Sequence, residues 1–162
     1  MTQYNELPPI FQKIASQNFN DLPTKKPAGV TKSQEQSAAD VISDLSEKYP
    51  KWAMGDVTKL KRLFNDANSI AGDGRTKMIK EELYPIAHDI KGQGATFGYP
   101  LMTDVAAHLC DKVKQNNGIF DAEQMSYIKK HIDALEHILN EKMTGNGGDK
   151  GTKLLADLAQ GN

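Results

Sequence analysis

Ile86-Ala87-His88-Asp89-Ile90-Lys91-Gly92-Gln93-Gly94-Ala95-Thr96-Phe97-Gly98 combines one reactive side chain with an uncommon local pattern, and the rest of the chain reads as support for it. Plotted at about 100° per residue, Leu83, Ile86, Ile90, Phe97 and Leu101 gather on one side of a helix, roughly opposite His88. The imidazole is therefore expected to point outward. Lys91 follows one turn on, and Gly92 leaves the i to i+4 direction from the ring without a side chain. Gly92, Gly94 and Gly98 fall within seven residues, a costly helix in which each glycine loses about 1 kcal/mol against alanine. Each glycine must then answer another need. Gly92 gives a docking partner room beside His88, while Gly94 and Gly98 lie four apart on a flank where a neighbouring helix could approach. Gly98 is alternatively a C-terminal cap, with Pro100 opening the next helix.

The surrounding pattern predicts an all-α chain. A helix is expected from about Thr76 to Gly98, with Pro85 either kinking it or restarting it near Tyr84. If the register survives, Lys77, Glu81 and Tyr84 share an exposed stripe with His88 and Ala95, and Lys77 and Glu81 read as solvated surface. Upstream, Ala38, Val41, Ile42 and Leu45 predict a helix from Ser33 to the Tyr49-Pro50 interruption. A second run holds Trp52, Val57, Leu60, Leu63, Phe64, Ala67 and Ile70 and stops at Gly72-Asp73-Gly74, with Trp52 and Phe64 read as core packing. Downstream, Pro100 opens a helix that turns Leu101, Met102, Val105, Leu109 and Val113 inward until Asn116-Asn117-Gly118. Asp121 as N-cap and Gln124 three later start the next, whose stripe runs from Met125 through Ile128, Ile132, Leu135 and Leu139 to Met143. Gly145-Asn146-Gly147-Gly148 ends it, and Leu154, Leu155 and Leu158 suggest a short terminal helix. Residues 1–33 hold four of the seven prolines and little periodicity, so they read as a flexible N-terminal arm with one apolar knot, Pro8, Pro9, Ile10, Phe11 and Ile14. Residues 34–162 are the expected folded domain.

Composition narrows the function classes. A chain of 162 residues, 38% apolar, has room for one domain with a proper core. Twenty Lys and Arg against 21 Asp and Glu leave a net charge of -1, without the basic stripe of a nucleic-acid binder. Cys110 is the single cysteine, and no stretch approaches the ~18 apolar residues of a membrane span. The beginning, Met1-Thr2-Gln3-Tyr4-Asn5-Glu6, has neither a basic start nor an apolar signal core, so a cytoplasmic setting is expected.

Other chemistries fit poorly. Di-metal bundles use Glu-x-x-His, yet the residues three before His88, His108, His131 and His137 are Pro85, Val105, Ile128 and Ala134, so no metal site is expected. His131 and His137 read as lying on the solvated side of their helix. The glycine run departs from the dinucleotide fingerprint, and Lys91 precedes the glycines where a phosphate loop needs it after them. No serine or acid is tied to His88 by a triad pattern, and Cys110 reads as a small core residue or a neighbour of the site.

The run His88-Asp89-Ile90-Lys91-Gly92, followed by Gly98, resembles the signature of histidine-containing phosphotransfer (HPt) domains. The resemblance implies an antiparallel four-helix bundle, here with an extra N-terminal helix. It gives His88 the role of phosphoacceptor at Nε2 and Lys91 that of steadying the phosphoryl charge. Small residues often follow the first glycine in that family, where this chain has Gln93 and Gly94. Cys110 stands where some members place a glutamine supporting the histidine. The implied partners are the receiver domain of a response regulator and a hybrid sensor histidine kinase, with Mg2+ brought by the receiver and none bound by this chain. Tyr84, Gln93 and Ala95 join Gly92 as expected docking contacts. The chain would be a monomeric phosphocarrier without kinase activity. The rival expectation is a helical interaction module that docks on a receiver or kinase without taking phosphate.

Overall fold

The computed structural model describes residues 32–160, with side chains from residue 38 onward, and Ala39–Asn162 form one compact unit. The expected arm up to residue 31, with its knot from Pro8 to Ile14, lies outside the described residues, and its last two positions, Lys32 and Ser33, belong to a helix. The described residues form helices joined by short loops, without strands: α1 (Lys32–Ser69), α2 (Gly72–Met78), a π-helical turn (Ile79–Leu83), α3 (Tyr84–Gln93), a 3-10 turn (Ala95–Phe97), α4 (Pro100–Gln115), α5 (Ala122–Asn140) and α6 (Gly148–Gln160).

Pro50 does not divide α1. Proline removes one backbone donor and leaves the carbonyl four residues earlier without its helical partner. The apolar register nevertheless steps by four across it, through Leu45, Tyr49, Ala53 and Val57, all buried, so packing carries the rod past the defect. The predicted break at Tyr49-Pro50 is thus corrected to one long helix. That same register leaves Trp52 on the flank, 38% exposed instead of in the core, whereas Phe64 is buried as expected.

One contiguous core runs from Tyr49 in α1 to Leu158 in α6. Polar ties fix the helices around it. Lys61 of α1 meets Glu136 of α5 at 2.8 Å. Arg75 donates to the carbonyls of Ala67 (3.1 Å), Ile70 (2.9 Å) and Phe120 (2.9 Å), joining the end of α1 to the loop before α5. Asp121 accepts from the Gln124 backbone at 2.9 Å while the Gln124 side chain accepts from Asp121 N–H at 3.0 Å, a reciprocal cap at the start of α5. Among the described residues no helix is long and apolar enough to cross a membrane.

Candidate functional site

Pro85 decides how the helix carrying His88 begins. It has no N–H to close a rung, and the chain ahead of it widens into the π turn, where Tyr84 N–H donates to Ile79 O; α3 then starts with proline in its first turn. Of the two expectations for this stretch, a helix kinked at Pro85 or one restarting near Tyr84, the second holds: α2 and the π turn precede α3, which begins at Tyr84, and the 3-10 turn follows it. The wider turn also shifts the register by about one residue, so Lys77 and Glu81, though exposed, do not continue the His88 stripe unbroken.

Past the turn, Leu83, Ala87, Ile90 and Gly94 face inward and are buried, while Ile86 and Phe97 are half-buried; the inner face is centred on Ala87. His88 is exposed. Its ring lies 5.9 Å from that of Tyr84, one turn back, and the Lys114 ammonium of α4 stands 5.9 Å from the Tyr84 ring. Lys91 and Gln93 are half-buried, and Gly92 and Ala95 are exposed. A Cβ at Gly92 would meet nothing within 4 Å, so the space next to the imidazole is open.

The two flanks of His88 differ in charge. On the α1 side, burial pushes the Asp56 carboxyl above its ordinary range and Asp89 adds to the rise, partly offset by Lys59 at 3.1 Å. On the α4 side, Cys110 is buried and its thiol is pushed up to about 11 by desolvation, with Lys91 and Lys114 pulling the other way. It stays protonated at neutral pH and is no nucleophile. Lys114 is a second cation of this flank that the motif does not include; its place one turn beyond Cys110 on α4 is the only sequence signal for it.

The remaining glycines separate by role. Gly98, at φ +84°, caps the 3-10 turn in the left-handed region, and Pro100 begins α4. Gly94 takes the close approach: a Cβ there would lie 2.7 Å from Tyr99 O and 2.8 Å from Thr103 Oγ1. Thr103, unremarked by any motif, accepts from Ala95 N–H at 2.9 Å and donates to Lys91 O at 3.0 Å.

His131 is not on the solvated side of its helix. It is 1% exposed, stacked on Tyr127 at 4.0 Å, with Nδ1 2.9 Å from Tyr127 O and Nε2 without a hydrogen-bond partner. An apolar ring face against Tyr127 and a local backbone acceptor let an imidazole fill a core position that side-chain polarity alone would assign to water. His137 is exposed, and no group of three metal-binding side chains occurs among the described residues.

Comparison of the chain with protein-family models, curated proteins and solved structures finds no match.

Proposed function

We propose that this chain is a histidine phosphotransfer protein whose phosphoacceptor is His88. The observation that carries the reading is the exposed imidazole on a helix, with Lys91 three residues on and open space at Gly92 four residues on. In this reading α1, the α2–α3 segment, α4 and α5 form an antiparallel four-helix bundle of the HPt type. Short connections between consecutive helices favour that arrangement.

The chemistry asks little of the protein. A neutral imidazole with Nδ1 protonated presents the Nε2 lone pair to phosphorus. As the N–P bond forms, the bond from phosphorus to the receiver's aspartyl oxygen breaks, and the aspartate leaves as carboxylate with the electron pair. The ring becomes a phosphoimidazolium that keeps its Nδ1 proton. Transfer to the response regulator is the reverse displacement on a second aspartate. Positioning and charge stabilisation dominate such steps. Lys91, three residues on, would supply its ammonium to the equatorial oxygens, and Gly92 would let the receiver pocket close over the ring. Mg2+, held by the receiver's own carboxylates, supplies further charge neutralisation. The partners are the receiver of a hybrid sensor histidine kinase and a response regulator, and the setting is cytoplasmic. The chain acts as a monomeric carrier without kinase activity, and neither nucleic acid nor membrane takes part.

The test uses receivers charged with acetyl phosphate in Mg2+, mixed with the chain and assayed for acid-labile, alkali-stable label. Wild-type protein is expected to take label on His88, and His88→Gln to take none while its helical circular dichroism stays unchanged. Label on the Gln variant, or none on wild type across a panel of receivers, overturns the assignment in favour of a docking module.

A further inference from the structure

In an unbroken α-helix the carbonyl of Lys91 would accept from the N–H of Ala95. Here the hydroxyl of Thr103, on α4, is inserted into that rung. Ala95 N–H donates to Thr103 Oγ1 at 2.9 Å, and the hydroxyl donates onward to Lys91 O at 3.0 Å. A side chain from another helix thus completes the helical ladder at the end of α3.

Two neighbouring features make the insertion possible. Gly94 has no Cβ, which would otherwise lie 2.8 Å from that hydroxyl and 2.9 Å from Thr103 N. Tyr99 N–H donates to Gly94 O at 2.8 Å and Gly94 N–H to Ile90 O at 3.1 Å, so both sides of the gap are pinned. The segment held in this way, Lys91 to Ala95, contains the cation and the open glycine beside His88. Without the hydroxyl, Lys91 O either closes directly onto Ala95 N–H, tightening the helix end, or turns to water. Either change moves the Lys91 backbone relative to the imidazole.

We infer that Thr103 is a positioning residue for the phosphoryl site, setting where Lys91 and Gly92 stand relative to His88; this rests on the phosphotransfer reading. A residue acting only in stability would move the unfolding midpoint and leave the chemical step alone. One acting through position slows the step itself at saturating receiver.

Transfer from a charged receiver is therefore measured over a range of receiver concentrations for wild type, Thr103→Val, Thr103→Ala and Thr103→Ser, well below the unfolding midpoint of each. Val and Ala are expected to lower the maximal rate about tenfold, less than the ~100-fold that a 1 Å misplacement causes, with half-saturation little changed. Ser, which keeps the hydroxyl, is expected to stay within about twofold of wild type. The Ala variant adds no bulk and reports even if Val disturbs packing. Wild-type maximal rates in Val and Ala overturn the inference while leaving the phosphotransfer reading intact. A wild-type protein that takes no phosphoryl group overturns the reading, and the inference with it.

Discussion

Gly92 and Gly94 stand two apart at one helix end and do opposite work. A side chain at Gly92 projects into open space, so Gly92→Leu is expected to raise stability by up to about 1 kcal/mol through helix propensity. The same substitution should slow transfer about tenfold by crowding the receiver, a loss of about 1.4 kcal/mol. Gly94→Ala drives a Cβ against the Tyr99 backbone oxygen at 2.7 Å and should cost about 1–3 kcal/mol in unfolding titrations. A Gly92→Leu protein that transfers at the wild-type rate would remove the access argument. The sequence could identify the cluster of glycines as meaningful, because each is costly in a helix. It could not assign the roles, since Gly94's crowding depends on a loop that folds back and Gly98's cap depends on a left-handed φ of +84°. Thr103 was illegible for the same reason: its acceptor is a backbone carbonyl twelve positions earlier.

Helix periodicity was the more readable level, and the two prolines that interrupt it have different outcomes, one long helix at Pro50 and the expected restart near Tyr84 at Pro85. At Pro50 the buried stripe outlasts the lost rung; at Pro85 the chain absorbs the missing donor in a π turn. Both outcomes depend on what the flanking turns bury, which a local breaker rule does not weigh. The same reasoning predicts how α1 opens. Ahead of Leu45 its apolar side chains Val41 and Ile42 are 44% and 47% exposed, and those turns meet the defect at Pro50. Beyond it, Ala53, Val57, Leu60 and Ala67 are buried. Amide hydrogen exchange should therefore split the rod, with residues 40–46 exchanging at least about 100-fold faster than residues 57–67, which open with the whole core. Uniform protection along α1 would mean that the early turns are held by contacts as strong as those of the core.

Across the whole molecule, stability against pH should bear the mark of one buried imidazole. His131 sits between α5 and α4 with its ring on Tyr127, and its surroundings discourage a proton. Burial lowers its pKa first; His108 and Lys112 from α4 and Lys130 from its own helix act in the same direction, against the carbonyl of Tyr127. The unfolded chain, where an imidazole titrates near ~6.5, takes up that proton before the folded chain does. More protons bound in the unfolded state mean that stability rises with pH in this window. The His131 contribution is thus fully present above about pH 6.5 and is lost as pH falls through that value toward the lowered folded one, at up to about 1.4 kcal/mol per pH unit. His131→Phe keeps a ring against Tyr127 and removes the unpartnered Nε2, so denaturant unfolding between about pH 5 and 7 should lose that slope. His137→Gln, at an exposed position of the same helix, should retain it. An unchanged slope in the Phe variant would place the acid sensitivity elsewhere, and a steeper one would mean that folded His131 welcomes the proton its cationic neighbours are expected to repel.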